Sequence, residues 1–365
     1  MNRFHLVCSL GLFTMSSSLL AWGERGHDAV ARVAVRLTAD GQEPAAGSWG
    51  KLLAQKEHMI GHLANVPDIV WRRLGPEIDR LNAPSHFVDM EYVLEGRETT
   101  PLSKLPIDFA AYKKALEKNC SKSKSELSCA PGASLDAKLE KAGHAPFRIQ
   151  ALMKEITTSL RQVKANEANP ALSKEARQEP VDKALLYAGV LAHFVGDLAN
   201  PHHTSVDYDG WLSDAGGLHS YFESEMVDAQ ELNLEAQVLD EARRHHPAAP
   251  LWKEAQGDAV RTAWALALES HGHLNELLNL DKTISRLKPS EASKHERAVR
   301  KAPDQVKDSY RDLLILRLAM GADALQNLWT QAWVDAGKPD LSFYKSYYYP
   351  VQPDFIALGY HTPKP

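Results

Sequence analysis

The stretch PVDKALLYAGVLAHFVGDL, residues 180–198, decides the fold class of this chain. It opens with a proline, which suits the first turn of a helix because the backbone N–H that proline lacks has no partner there. Few helix-breaking residues follow before Leu198. The stretch therefore predicts a long and largely apolar helix.

The rest of the chain repeats this helical pattern. His27, Val30, Ala34 and Leu37 recur at three- and four-residue steps, which is the spacing of one helical face. Helices are also predicted over the segments 147–165, 226–245, 251–279 and 313–328. Strand-like alternation is limited to Pro84–Val93 and is weak there.

Together these segments predict an all-α fold. We expect a single multi-helix domain over residues 22–338, followed by an irregular tail over residues 339–365. Polar or Pro/Gly-rich loops are predicted near residues 39–50, 118–146, 166–180, 200–217 and 284–300.

The N-terminus has the pattern of a secretory signal peptide. Arg3 precedes an apolar run over residues 6–13, and small and polar residues lead up to Ala21. The run is too short for a membrane span. We expect residues 1–21 to be removed on export, so that Trp22 becomes the first residue of a periplasmic or secreted protein.

Composition limits the kind of partner. The 365 residues are 44% hydrophobic and 24% charged, as in soluble globular proteins, and the formal net charge is −5. Such a balance exerts no overall attraction on nucleic acids or anionic membranes. A polyanionic substrate must therefore be held by a local site. The sequence does not indicate an obligate protein partner.

Two cysteines remain in the predicted mature chain. Cys120 and Cys129 bracket a polar stretch, and in an oxidising compartment we expect one local disulfide between them. Two reduced thiols are the alternative. Their spacing is wider than that of the usual zinc thiolate pairs.

The tail is rich in aromatic residues and proline. Its rings are Phe343, Tyr344, Tyr347, Tyr348, Tyr349, Phe355 and Tyr360. One interpretation is an irregular strap that packs its rings on the helical body. The other is a surface that faces the substrate or makes transient contact with a membrane, because tyrosine suits a boundary between apolar matter and water.

Histidines and carboxylates recur at metal-compatible spacing. His193 and Asp197 lie one turn apart within the apolar helix, where a buried His–Asp pair is costly unless a cation compensates it. His203 follows on a loop, and His219 and Glu223 form a second pair four residues apart. We expect a metal site, and zinc suits these ligands.

The other histidines are weaker candidates for metal ligands. The pairs His58/His62, His245/His246 and His271/His273 have polar surroundings and no carboxylate at matching spacing, so we expect solvated surfaces. Only one of His202 and His203 is expected to face the site. Asp68 and His86 each follow a proline turn, and Asp68 could instead complement a helix N-terminus.

Taken in order, these residues resemble a known superfamily. The series is Trp22, His27, Asp68, His86, His193-x₃-Asp197-x₅-His203 and His219-x₃-Glu223. It is similar to the zinc-dependent phospholipases C and single-strand-specific nucleases, which are secreted all-α enzymes with three zinc ions. The resemblance covers about the first two-thirds of the chain.

The resemblance implies three Zn²⁺ sites. Asp68, His86, His193 and Asp197 would hold one ion. Asp197 would bridge to a second ion, held also by His27 and by the free amine and carbonyl oxygen of Trp22. His203, His219 and Glu223 would hold the third. Asp68 and Asp197 are the candidate catalytic carboxylates, and metal-activated water would cleave a phosphodiester bond.

The substrate class stays open at this level. The short His203–His219 interval and Glu223 as the last ligand favour a phospholipase C-like enzyme acting on a lipid head group. The step from Trp22 to His27 and the Gly216-Gly217 pair favour a nuclease for single-stranded DNA or RNA. A non-catalytic zinc-binding protein is a more distant alternative.

Three residues are candidates for substrate binding. Phe87 follows a zinc ligand and could stack on a base or line a lipid pocket. Arg25 stands where phospholipases with a choline pocket carry an acid. Trp71 occupies the position where nucleases place a basic residue, so we expect the neighbouring Arg72 or Arg73 to supply the charge.

Overall fold

The computed structural model describes residues 22–40, 47–94, 100–120, 133–169, 171–245, 254–255, 257–291, 296–345 and 353–361. These residues are mostly helical, as predicted. The α-helices are α1 (Glu24–Ala39), α2 (Gly47–Gln55), α3 (Glu57–Ala64), α4 (Val66–Ile69), α5 (Pro76–Asn82), α6 (Phe109–Cys120), α7 (Leu135–Ala142), α8 (Ala145–Asn166), α9 (Lys174–Ala199), α10 (Leu218–Ser220), α11 (Met226–Asp228), α12 (Leu234–His245), α13 (Ala259–Gly272), α14 (Leu274–Leu280) and α15 (Lys307–Asp335).

Helix α9 lies at the centre of the bundle. Its second half is buried without interruption from Ala188 to Ala199, and it packs against α1, α3, α8, α13 and α15. Gly189 permits the close approach of α3, because a Cβ at this position would lie 2.4 Å from the Cβ of Leu63. This helix carries His193 and Asp197 into the interior.

Helix α9 begins earlier than Pro180. Ser173 caps it by accepting a hydrogen bond from the amide of Ala176, so Pro180 lies inside the helix. Proline cannot donate to the carbonyl group one turn earlier. The side-chain amide of Asn166 donates to that carbonyl oxygen of Ala176 instead, at 3.4 Å. The predicted helix start was therefore wrong by about two turns.

Other segments also differ from prediction. The predicted helix 251–279 is divided into α13 and α14, and α13 begins only at Ala259. Pro84–Val93 is not a strand, since 3₁₀ turns occupy Ala83–Ser85 and Met90–Tyr92 and only one bridge pairs Val88 with Gly143. The segment 226–245 is divided into α11 and α12. The predicted loop 118–146 contains α7.

A two-stranded hairpin supports the loop before His219. Strands β1 (Arg286–Lys288) and β2 (Val299–Arg300) pair antiparallel. The guanidinium group of Arg300 is 2.6 Å from the buried carboxylate of Asp281 and donates to the carbonyl oxygens of Ala215 and Gly216. The hairpin thereby fixes the turn from which α10 begins.

The predicted signal peptide and the predicted disulfide both involve residues that the structure does not describe. Residues 1–21 and Cys129 lie outside the described residues, as does the side chain of Cys120, so the signal peptide and the disulfide stay predictions. Across the described ranges, no helix has the length and apolar character that crossing a membrane requires.

Candidate metal centre

Helices α1 and α9 form the first group of possible metal ligands. His193 and Asp197 lie one turn apart on α9, and His27 projects from α1. The Nε2 atom of His27 lies 3.5 Å from an oxygen of Asp197, and the rings of His27 and His193 stack with centroids 4.1 Å apart. All of these side chains are buried. The three together could hold a metal ion.

A second group shares His193 with the first. Asp68 lies on α4, and His86 ends the 3₁₀ turn that follows α5. The Nδ1 atom of His86 is 2.9 Å from both the Nε2 atom of His193 and an oxygen of Asp197. An oxygen of Asp68 lies 3.7 Å from the same His86 nitrogen. Asp68, His86 and His193 could therefore also hold an ion.

The third group comes from the loop after α9 and the helical segment that begins at Leu218. The Nε2 atoms of His203 and His219 are 3.0 Å apart, and His219 lies 2.7 Å from a carboxylate oxygen of Glu223. Two nitrogens bound to one tetrahedral zinc ion are separated by roughly 3.3 Å when each bond is about 2.0 Å. His203, His219 and Glu223 thus have the spacing of ligands to one ion.

Backbone carbonyl groups orient two of the imidazoles. The Nδ1 atom of His193 lies 2.7 Å from the carbonyl oxygen of Ala64, and that of His203 lies 2.9 Å from the carbonyl oxygen of His86. A carbonyl oxygen only accepts, so each Nδ1 must donate. The Nε2 atom of each neutral ring is then left with its lone pair directed into the cluster, as metal binding requires.

Burial determines the protonation state of the histidines in these three groups. It lowers the pKa of His27, His86 and His193 well below the ordinary value, and it lowers the pKa of His219 to about 4. These rings are therefore neutral near pH 7, which is the form that binds a metal.

Burial shifts the pKa of the carboxyl groups in the opposite direction, to higher values. It raises the pKa of Glu223 to about 8 and that of Asp197 well above its ordinary value, and a neighbouring carboxylate at Asp68 adds to the rise for Asp197. Ionised carboxylates at these positions need compensating positive charge.

Several buried polar atoms of these groups lack a hydrogen-bond partner among the described residues. Within the part of the chain that the structure describes, both ring nitrogens of His27 have no hydrogen-bond partner, and neither do Oδ1 of Asp197 and Oε1 of Glu223. Leaving such groups unsatisfied in the interior costs about 1–3 kcal/mol each. Their position beside neutral histidines fits the binding of cations by these groups.

Trp22 is anchored beside this centre. Its fully buried indole donates a hydrogen bond of 2.6 Å to the carbonyl oxygen of Gly196, the residue before Asp197, and packs against Phe222. The amide of Gly23 donates to the carbonyl oxygen of Glu223 at 3.1 Å. The start of the predicted mature chain is therefore held between two segments that carry ligands.

One cavity opens onto the clustered histidines. It has a volume of about 350 Å³, and its lining residues are Arg72, Ala83, His86, Phe87, Asp89, Lys141, His202, His203, Val206, Tyr208 and His219. The predicted substrate-binding residues Phe87 and Arg72 both belong to this wall. The Nε atom of Arg72 lies 2.8 Å from Asp68, so its charge sits next to the second ligand group.

Arg25 is directed elsewhere. Its guanidinium group donates to the backbone carbonyl oxygens of Val227, Gln230 and Glu231 at 2.5–2.9 Å. These bonds stabilise the break between α11 and α12, which explains why the predicted helix 226–245 is divided. The structure does not place Arg25 in the cavity wall with Phe87 and Arg72.

The sequence patterns missed several residues of the cavity wall. His202 lines the cavity together with His203, although only one of the pair was expected to face the site, and its ring stacks on that of His219 at 5.4 Å. Asp89 and Lys141 also contribute. Asp89 lies three residues after His86, so its spacing was a usable signal, whereas Lys141 meets the site only through the tertiary fold. The exposed side chains of His58 and His62 agree with solvated surfaces.

Comparison with known proteins does not assign a family. No family model matches the chain, and no curated protein sequence is similar enough to count as a relative.

Proposed function

We propose that this protein is an exported hydrolase that cleaves phosphodiester bonds with three zinc ions and prefers phospholipid head groups, as a phospholipase C does. The observation that carries the proposal is the close approach of three buried His/carboxylate groups. Two of these groups reach one cavity, through His86 and through His203 and His219, and Arg72 and Lys141 also line that cavity. Divalent ions in such groups supply water that ionises near neutral pH and positive charge for phosphate oxygens.

The proposed ion distribution follows the ligand groups. Asp68, His86 and His193 serve one ion, and His203, His219 and Glu223 serve another. His27 and the bridging carboxylate of Asp197 serve the remaining ion, to which the free amine and carbonyl oxygen of Trp22 add ligands after export. His193 serves only the first ion, because its Nδ1 atom donates to Ala64 and a single nitrogen is left for metal. The hydrogen bond from the Trp22 indole to Gly196 supports this assignment, because it holds the Trp22 side chain against the residue that precedes Asp197.

The chain's own residues bind and orient the phosphate. Arg72 places a cation on the cavity wall beside Asp68, at 2.8 Å, and Lys141 adds a second positive group. The charge-assisted contact with Asp68 limits the directions in which the guanidinium can point.

The remainder of the cavity favours a compact, partly apolar substrate. Ala83, Phe87, Val206 and Tyr208 line it, and its volume of about 350 Å³ is at the lower end for small-molecule sites. The chain carries a formal net charge of −5, whereas a long nucleic acid generally requires a basic track. A phospholipid substrate also requires transient contact with a membrane surface.

One observation favours a single-strand-specific nuclease as the second candidate. Phe87 and Tyr208 lie on the same cavity wall, and aromatic side chains in nucleic-acid sites stack on unpaired bases. A nuclease of this type would use the same ligand groups and the same Arg72.

Parallel assays of purified protein that begins at Trp22 test the proposal. The protein is incubated with phosphatidylcholine vesicles and, separately, with single-stranded DNA, each with and without a chelator. We expect release of the phosphorylated head group, loss of activity in the chelator and recovery on addition of Zn²⁺. Asp197→Asn serves as the control for metal dependence, because it removes a carboxylate from the shared region of the centre.

Each outcome has a distinct meaning. Cleavage of DNA without release of head group would select the nuclease. Bound zinc without hydrolysis of either substrate would favour the non-catalytic zinc-binding alternative. Hydrolysis that persists in chelator-treated protein would contradict the metal mechanism.

A further inference from the structure

The last described segment, Pro353–His361, packs along the surface of the helical body, and we call it the strap. The indole nitrogen of Trp71 donates to the carbonyl oxygen of Pro353 at 3.1 Å, and the Trp71 ring meets Phe355 edge-on at 5.3 Å. At the other end, the hydroxyl group of Tyr360 lies 2.7 Å from the Nδ1 atom of His144. The strap is therefore held at both ends by buried partners.

Arg148 on α8 is the central contact of the strap. Its guanidinium group donates to the carbonyl oxygens of Ile356 at 2.9 Å and Ala357 at 3.3 Å. The side chain is fully buried, and among the described residues no carboxylate forms an ion pair with it. Burial lowers the pKa of Arg148 to about 10, so the group is still charged at pH 7. Carbonyl dipoles and aromatic rings must therefore stabilise this cation.

Those rings belong to segments that carry metal ligands. The Cζ atom of Arg148 lies 5.6 Å from the ring centroid of Trp71 and 5.0 Å from that of Phe194, distances typical of cation–π contacts. Trp71 directly precedes Arg72, and Phe194 directly follows His193. One buried cation thus joins the strap to two sides of the metal centre.

The unusual residue Trp71 has a clear place in this arrangement. It is three residues after Asp68, at a position where the sequence resemblance led us to expect a basic residue, and it is fully buried. The indole anchors the strap, while the adjacent Arg72 turns to the cavity and to Asp68.

We propose that Arg148 is a positioning residue, through which the strap holds the Trp71 segment, and with it Asp68 and Arg72, against the metal centre. The inference rests on the proposed function, since it concerns the ion held by Asp68, His86 and His193. Residues that orient metal ligands from outside the coordination shell alter metal affinity by about 10- to 100-fold when removed.

Metal release tests the proposal. Arg148→Met keeps the bulk of the side chain and removes the charge and both hydrogen bonds to the strap. Arg161→Met on the same helix is the matched control, because Arg161 is exposed and donates only to the carbonyl oxygen of Asp335 at 3.2 Å. Zinc transfer from each loaded protein to a colorimetric chelator is followed over time. We expect about one ion per chain to leave at least 10-fold faster from Arg148→Met, and wild-type release from Arg161→Met.

Two milder changes guard against misfolding of Arg148→Met. Trp71→Phe removes the hydrogen bond to Pro353 and keeps an aromatic ring, although a smaller one, against Arg148 and Phe355. A chain that ends at residue 352 removes the strap itself. Both should accelerate release of the same single ion and lower kcat, and Arg148→Lys should restore part of the wild-type behaviour. Wild-type release rates and kcat in folded Trp71→Phe and truncated proteins would overturn the proposal.

The wild-type measurement separates this inference from the proposed function. If wild-type protein binds no zinc, both fail. If it binds zinc that the strap variants release at the wild-type rate, only the positioning role fails. If it binds zinc but hydrolyses no phosphodiester, the release rates still decide the role of Arg148.

Discussion

Glu223 makes the stability of the metal-free protein depend on pH. Burial raises the pKa of its carboxyl group from an ordinary 4.5 to about 8. Between these values the folded, metal-free protein holds a proton that the unfolded chain releases, so its free energy of unfolding falls as pH rises. The buried imidazoles do not offset this fall above about pH 6.5, because their pKa values are lowered and they are neutral in both states.

A bound cation keeps Glu223 ionised in the folded protein, as it is in the unfolded chain, so this fall with pH is absent from the zinc-loaded protein. We therefore expect the difference in Tm between zinc-loaded and metal-free protein to widen from about pH 6.5 to about pH 8. Each group that titrates in this window contributes up to about 1.4 kcal/mol per pH unit. Thermal unfolding of both forms across this range is the measurement. A difference that narrows with rising pH would show that Glu223 does not bind metal.

Arg72 and Arg73 offer a matched pair of substitutions in the proposed phosphate site. Arg72 lines the cavity and contacts Asp68, whereas Arg73 is exposed. We expect Arg72→Met to lower kcat/KM by about 10- to 100-fold, as for loss of a hydrogen bond from a charged group, and Arg73→Met to leave it unchanged. Steady-state hydrolysis of a chromogenic phosphodiester checks both, with zinc content measured alongside. Equal losses in the two variants would remove Arg72 from the site.

At the scale of the helices, the close packing of α3 on α9 depends on Gly189. A methyl group there would approach Leu63 to 2.4 Å, whereas a methyl group at Gly272 would meet no atom within 4 Å. We expect Gly189→Ala to lower the free energy of unfolding by about 1–3 kcal/mol. Gly272→Ala should leave it unchanged or raise it by up to about 1 kcal/mol. Urea unfolding monitored by circular dichroism measures both; a stable Gly189→Ala protein would contradict the described packing.

Long helices were predictable from sequence because their apolar faces repeat over many turns. The predicted helical face from His27 to Leu37 and the predicted segments 147–165 and 313–328 lie within α1, α8 and α15. Local features misled the prediction where distant residues decide the backbone. Asn166 satisfies the carbonyl oxygen that Pro180 leaves free, and Arg25 occupies the carbonyl oxygens at the end of α11.

In the candidate site too, local spacing was predictable from the sequence and tertiary contacts were not. His193 with Asp197 and His219 with Glu223 were visible because one helical turn separates each pair. Their convergence with Asp68 depends on tertiary packing, and the proposed metal-binding role of Trp22 rests on the resemblance alone. The contact of Arg148 with the strap could not be predicted, because the sequence gives no sign that an arginine in a predicted helix is completely buried.

At the scale of the whole molecule, we propose that export and assembly of the site are linked. Removal of residues 1–21 would create the amine that the Trp22 site requires. We expect a mature protein with one extra residue before Trp22 to bind about one zinc ion fewer per chain, because an amide nitrogen is not a zinc ligand of the required kind, and to lose most of its activity. Zinc content and turnover of the extended and native forms check this. Equal values would contradict the amine ligand while leaving the His/carboxylate groups intact.

The most direct test of the central claim is elemental analysis of protein that begins at Trp22, combined with phosphodiester hydrolysis before and after removal of metal. We expect close to three zinc ions per chain, hydrolysis that disappears with the metal, and recovery when zinc is restored. Protein without bound transition metal, or hydrolysis that survives complete demetallation, would contradict it.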